Sequence, residues 1–241
     1  MININQVYKS VLVVLQQEKR GVLTPVEFNK VATQAQQEIF IEYFDELNQL
    51  LRQPQTSLAY ADRYALLDEK IQIFKRTENL QTDAASKVTP TVTVQELGSV
   101  IYFSTSASEG REAQRIQQYE VFTTNQSPLT APSERYPVYT YENNVIQLYP
   151  TSIGVPSPVF NNVQLNFLKY PSDVKWGFTI DTELGNYIYN EQSSVNFELH
   201  QSDEPLLVDK ILGYAGVMTR DQLALQLAAG KEQQIDIDGQ K

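Results

Sequence analysis

Apolar residues recur at three- and four-residue steps through the first 80 positions and again after position 200, and at two-residue steps between them. The first pattern is that of one helix face, the second that of a half-buried strand. Val7, Val11, Val14 and Leu15 predict a first helix ending near Gly21. Phe28, Val31, Ala32, Ala35, Ile39, Tyr43, Leu47 and Leu50 predict a second over Pro25 to Leu51, stopped by Pro54. Its start is specified several times over: Thr24 as N-cap, Pro25 at the first helical position, Glu27 closing a capping box, and Leu23 with Phe28 as a hydrophobic staple. Phe40, Ile41 and Phe44 widen its apolar surface beyond one stripe, which predicts partners on two sides. Tyr60, Tyr64, Leu67, Ile71 and Phe74 mark a third helix, with Lys75 and Arg76 complementing the dipole at its end.

From about Lys87 the period becomes alternating and β-branched and aromatic residues multiply, as in Val100-Ile101-Tyr102-Phe103. Arg111 to Phe122 fits a short helix interrupting the strands, and Thr124 to Pro137, rich in Ser, Thr and Pro, a surface loop. Tyr136 to Tyr141 and Val145 to Pro150, joined by Glu142-Asn143-Asn144, read as a hairpin, because Asn tolerates the positive φ of a tight turn. Val163, Leu165 and Phe167 alternate in a further strand ending at Pro171. Ser202-Asp203-Glu204-Pro205 opens a helix closed by Gly216, and Thr219 to Gln222 is a capping-box pattern opening a last one through Leu227, before a polar tail from Lys231.

The predicted fold is therefore α+β: a helical bundle of residues 1–82 and 200–241, closed by both termini, with an antiparallel β-rich insertion at 83–199, the whole forming one structural unit.

Composition narrows the function classes. The chain has 241 residues and no cysteine, which excludes disulfides, thiolate zinc sites and cysteine nucleophiles. A net charge of -10 argues against a surface that clamps phosphates, although passing DNA without holding it remains compatible. The N-terminus lacks a signal-peptide pattern and no apolar run reaches bilayer length, so a soluble product with no membrane partner is expected.

Chemical motifs are sparse. His200 is the single histidine, and neither a GxSxG elbow nor a Gly-rich phosphate loop is present, so a structural role for it outweighs a catalytic one. Asp236-Ile237-Asp238-Gly239 opens like a calcium loop but lacks the later bidentate Glu, which favours a solvated tail. Asp181 and Glu183 could flank a glycosidic bond, against the plainer reading of a polar strand edge. No catalytic, cofactor or metal residue is assigned, and a non-enzyme is expected. Tyr136, Tyr139, Tyr141 and Tyr149, with Phe40, Ile41 and Phe44, are the interface candidates; for the tyrosines of the β-rich part, Tyr170, Tyr187 and Tyr189 included, half-buried strand faces and protein contact explain the ring equally well.

The blocks VYKSVLVVLQQEKRGVLTPVEFNKVATQAQQEIF, YPVYTYENNVIQLYP, FLKYPSDVKWG and FELHQSDEPLLVDKILGYAGV, in collinear order, resemble virion structural proteins of tailed bacteriophages. The resemblance is to the ring-forming head-to-tail adaptors of short-tailed phages, particularly the crAss-like group. It implies a connector subunit in the virion, assembled with copies of itself in a closed ring, typically of twelve, whose helical body packs against its neighbours. Its β-rich part would meet the next tail component, with the portal and other tail or ring proteins as partners and DNA passing nearby. Alternatives are another short-tail component, such as a nozzle or fibre-docking protein, or a carbohydrate-binding or carbohydrate-processing protein.

Overall fold

The computed structural model describes residues 1–17, 23–52, 58–104, 109–154, 160–181, 183 and 185–218. In chain order its elements are α1 (Ile4–Gln17), α2 (Pro25–Arg52), α3 (Leu58–Ile71), β1 (Lys75–Leu80), β2 (Lys87–Val88), β3 (Val94–Phe103), β4 (Gly110–Glu112) and β5 (Gln114–Arg115). They continue with α4 (Glu120–Gln126), β6 (Val138–Glu142), β7 (Val145–Tyr149), β8 (Val163–Lys169), β9 (Phe178–Ile180), β10 (Tyr187–Tyr189) and α5 (Glu204–Met218). The fold class is α+β, as the two periodicities predict. The predicted last helix, the polar tail and the calcium-like Asp236 to Gly239 lie outside the described residues, as do Gly21 and Pro54.

Contacts divide the chain into two compact units, residues 1–73 with 171–241, and residues 74–170. The periodicities place these boundaries at 82/83 and 199/200. Two stretches account for the difference. Lys75 to Leu80 is a strand, and residues 171–199 are bound to α2 and α1 through hydrogen bonds and one bridge, Ile2 to Phe197.

In the first unit, α2 packs against α3 and α5, and α1 against α5. The start of α2 forms as its sequence specifies. The Glu27 carboxylate accepts from the Thr24 backbone N–H at 3.0 Å and from its hydroxyl at 2.6 Å, and the Thr24 hydroxyl in turn receives the Glu27 N–H at 3.4 Å. Leu23 and Phe28 are both buried. Along α2, Phe28, Val31, Ala32, Ala35, Ile39, Tyr43 and Leu50 are buried at helical spacing, joined by Gln36 and Phe40. On α1 the buried face is Ile4, Val7, Tyr8, Val11 and Leu15, so Val14, predicted on that face, points outward. In α5, Gly216 does not close the helix, which continues to Met218. Buried beside Ala215, Gly216 supplies the small surface a packed helix needs there.

The second unit is built from two four-stranded sheets, ordered β1-β8-β3-β4 and β2-β7-β6-β5. Val100 and Tyr102 of β3, Val163, Leu165 and Phe167 of β8, Tyr139 of β6, and Ile146 and Leu148 of β7 meet in one core drawn from both. The sets from β3, β7 and β8 alternate at two-residue steps, so every second residue of those strands faces that core. All pairs are antiparallel except β5 with β6. The Asn143-Asn144 turn forms as predicted, with φ of 47° and 61°, between β6 and β7.

Two sequence expectations fail here. Lys75 and Arg76 do not end a helix: α3 gives way to a single 3₁₀ turn, and they pair with Leu168 and Phe167 at the start of β1. The edge strand has no alternating apolar signal, because its outward side is polar and its inward Glu78 is a charged residue, held by the Thr91 N–H and hydroxyl. Arg111 to Phe122 is not helical at its start, since Arg111 and Glu112 pair with Tyr102 and Ile101, and Gln114 and Arg115 with Val138 and Tyr139. The helix begins only at Glu120.

Candidate functional site

Polar side chains at helical spacing on α2 fasten an extended stretch of the chain. After Asn29, which binds Trp176, the Thr33 hydroxyl donates to the Val174 carbonyl at 3.4 Å. One turn on, the fully buried Gln36 donates from Nε2 to the Ser172 carbonyl at 2.8 Å and accepts at Oε1 from the Glu198 N–H at 2.9 Å. A helix stripe thus satisfies backbone groups that a neighbouring strand would otherwise have to meet. It also fixes Trp176, whose ring lies 4.5 Å from Tyr8 and 5.6 Å from Tyr189, and so carries the β9–β10 hairpin.

A second polar stripe, Gln34, Glu38 and Glu42, faces α5. Lys210 reaches Glu42 at 2.7 Å and Glu38 at 3.7 Å, Tyr214 donates to Glu38, and Gln34 donates to Tyr214 at 3.1 Å. Near the start of α5, the buried Asp203 carboxylate accepts from the Tyr43 hydroxyl at 2.5 Å and from Lys70 at 2.8 Å. Burial, reinforced by the hydrogen bond to Asp203, pushes the Tyr43 phenol well above its ordinary value, so Tyr43 stays a donor. These ionisable groups are engaged in holding helices together.

His200 caps the turn before α5. Its Nδ1 accepts from the Ser202 N–H at 3.3 Å and lies 2.8 Å from the Ser202 hydroxyl, while Nε2 stands 3.9 Å from Glu69. Asp181 and Glu183 lie in the turn of the β9–β10 hairpin, where the Asp181 carboxylate accepts from the Glu183 N–H at 2.9 Å and its carbonyl from the Gly185 N–H at 2.9 Å. Among the described residues, no group of three His, Asp or Glu is placed to hold a metal ion.

The seven interface candidates separate by burial. Phe40 and Tyr139 are core residues, the first with its ring 4.9 Å from Phe44 and the second in the two-sheet core, so neither offers surface to a partner. Phe44, Tyr141 and Tyr149 are half-buried, and burial raises the Tyr141 phenol. Ile41 and Tyr136 are exposed. Beside Tyr187, one of the tyrosines that the sequence leaves open to protein contact, Ile180 and Ile188 on the β9–β10 hairpin and Tyr119, Phe122 and Leu129 around α4 are also exposed, and the sequence does not single them out. The available signal was large apolar residues in segments too short or too polar to form a core of their own.

Charge is divided unevenly. The first unit's residues include 12 Lys and Arg against 21 Asp and Glu, a net of -9, and the second unit's include 7 against 8, a net of -1. No helix among the described residues is long and apolar enough to cross a membrane. No protein-family model matches the chain, and no curated protein matches it in sequence.

Proposed function

We propose that this chain is a virion structural protein of a tailed phage, a connector-ring subunit that joins portal to tail and forms part of the DNA conduit. The reading starts from the four collinear sequence blocks. The observation that carries it further is the exposure of large apolar side chains at separate places in both units: Ile41 on α2, the β9–β10 hairpin, and the segment around α4. A closed ring needs heterologous contacts, in which two different surfaces of one subunit complement each other, and separate apolar patches supply such a pair. His200, Lys210 and Asp203 meanwhile have identifiable structural work, as cap, helix clamp and buried anchor.

The acidic first unit suits a conduit. A negative wall repels the phosphate backbone and lets it slide, whereas Lys and Arg would retain it. The rival reading, another component of the same short tail, is separated by native mass spectrometry of the full chain incubated with the portal encoded in the same genome. The connector reading expects a complex holding many copies of the chain per portal ring. Single or sparse copies, or none, would remove it.

A further inference from the structure

Between β5 and β6 the chain leaves its sheet at Ile116 and returns at Pro137. The two ends are pinned side by side, with the Gln114 N–H donating to the Pro137 carbonyl at 3.0 Å and the Ile116 N–H to the Tyr139 carbonyl at 2.9 Å. The excursion is held by its own bonds. The Gln117 N–H donates to the Glu120 carboxylate at 3.1 Å, the Ala131 N–H to the Ser127 carbonyl at 2.9 Å, and the Arg111 guanidinium to the Glu134 carbonyl at 3.0 Å. Yet α4 buries none of its residues, and Phe122 and Leu129 stand 70% and 96% exposed, flanked by the exposed Tyr119 and Tyr136. An arm ordered in this way, with large apolar tips and only Glu120, Glu134 and Arg135 as charges, leaves apolar surface in water that association would cover.

Charge favours the second unit of another copy as the occupant. Two copies meeting through their first units would oppose two net charges of -9, whereas the second unit carries -1, so copies approach each other at least cost through the second. The second unit also offers a receiving surface. On the side of β1, β8 and β3 away from the core, Thr77, Asn166 and Ser99 form a hydrogen-bonded row, Thr77 to Asn166 and Asn166 to Ser99, each at 2.8 Å. A depression of about 530 Å³ lies over this row, edged by Lys75, Arg76 and Glu96. Gly98 lines it and lets β3 run close to β8, since a Cβ there would meet the Asn166 carbonyl at 3.0 Å. The rim carries one net positive charge and the arm one net negative.

We infer that the arm of one copy docks in the β1-β8-β3 depression of the next copy, with Phe122 and Leu129 covered by the contact. This rests on the connector-ring reading and names the contact that would propagate the ring.

The cysteine-free chain allows a direct test. Full-length Leu129→Cys and Thr77→Cys variants are mixed, alone at high concentration and together with the portal, and oxidised. A disulfide-linked dimer containing one of each variant is expected, absent when either variant is oxidised alone. Adding Phe122→Asp to the Leu129→Cys chain should lower its yield about tenfold or more, the equivalent of one buried aromatic side chain. Rings on the portal without the mixed dimer would overturn the arm contact and leave the ring reading standing. A Leu129→Cys chain that cross-links to the portal instead would also overturn the second copy as occupant. Absence of both rings and mixed dimer would overturn both.

Discussion

Asn29 makes with Trp176 the two hydrogen bonds that a strand neighbour would make: its Oδ1 accepts from the Trp176 N–H at 2.7 Å and its Nδ2 donates to the Trp176 carbonyl at 3.3 Å. The side-chain amide has the donor and acceptor of a peptide group, so a helix can bind an extended segment through it without adding a strand. Trp176 is the chain's one tryptophan, and its emission therefore reports on this junction. Asn29→Ala should lower the unfolding free energy by about 1–3 kcal/mol, because two backbone groups of a nearly buried residue lose their partners. Denaturant titration followed by tryptophan fluorescence would reveal it as an earlier midpoint. An unchanged midpoint would show that water replaces the amide without cost.

Phe40 and Ile41 are sequence neighbours with opposite environments, the first fully buried and the second half exposed. Phe40→Ala should cost about 3–5 kcal/mol through lost burial and the cavity left behind. Ile41→Ala should leave thermal stability within about 0.5 kcal/mol, as surface substitutions do. Parallel melting measurements on the two variants would check the separation.

Asp203 receives the Tyr43 hydroxyl and Lys70 while itself buried. Asp203→Ala leaves both donors without their acceptor and should destabilise by about 3 kcal/mol. Lys210→Met should cost under about 1 kcal/mol, since its nearer partner Glu42 is exposed and Glu38 half-buried. Chemical denaturation of the two variants would rank them in that order.

The capping box gives a signed pH dependence. Hydrogen bonds from the Thr24 side chain and backbone hold the Glu27 carboxyl below its ordinary value. A carboxyl depressed in the folded state contributes stability that is present above its unfolded value and lost as pH falls through the folded one. Between about pH 5 and pH 2, wild-type stability should therefore fall more steeply than that of Glu27→Gln, in which the group does not titrate. Thermal melts across that range would show converging curves. Parallel curves would mean that the box contributes nothing through ionisation.

The well-capped α2 was legible in its sequence because local signals and packing agree there: Thr24, Pro25 and Glu27 act within one turn, and its apolar stripe meets α3 and α5. The hairpin at Asn143-Asn144 was legible for the same reason, a turn chemistry written in two adjacent residues. Strand β1 was not, since its inward Glu78 is satisfied by Thr91, a partner 13 residues away that no periodicity reveals. Residues 171–176 fall in the predicted β-rich insertion and not with the helices, because their hydrogen bonds go to side chains of α2, over a hundred residues earlier in the chain. Among the candidate surface residues, Phe40 and Tyr139 were misplaced because an aromatic ring reads alike in a core and at an interface; burial alone separates them.

Salt should report on the charge division. Self-association resisted by the first unit's net -9 strengthens as ions screen that repulsion, so raising salt from about 20 to about 200 mM should shift the chain toward larger species. Light scattering across that range would detect it, and dissociation by added salt would show instead that the opposite charges of the arm and the depression's rim outweigh that repulsion.

Electron microscopy of the full chain incubated with the portal of the same genome tests the connector role most directly. The expected images show a closed ring of the chain stacked beneath the portal, with an open central channel. A chain that stays monomeric beside the portal, or that builds open-ended fibres, would contradict it.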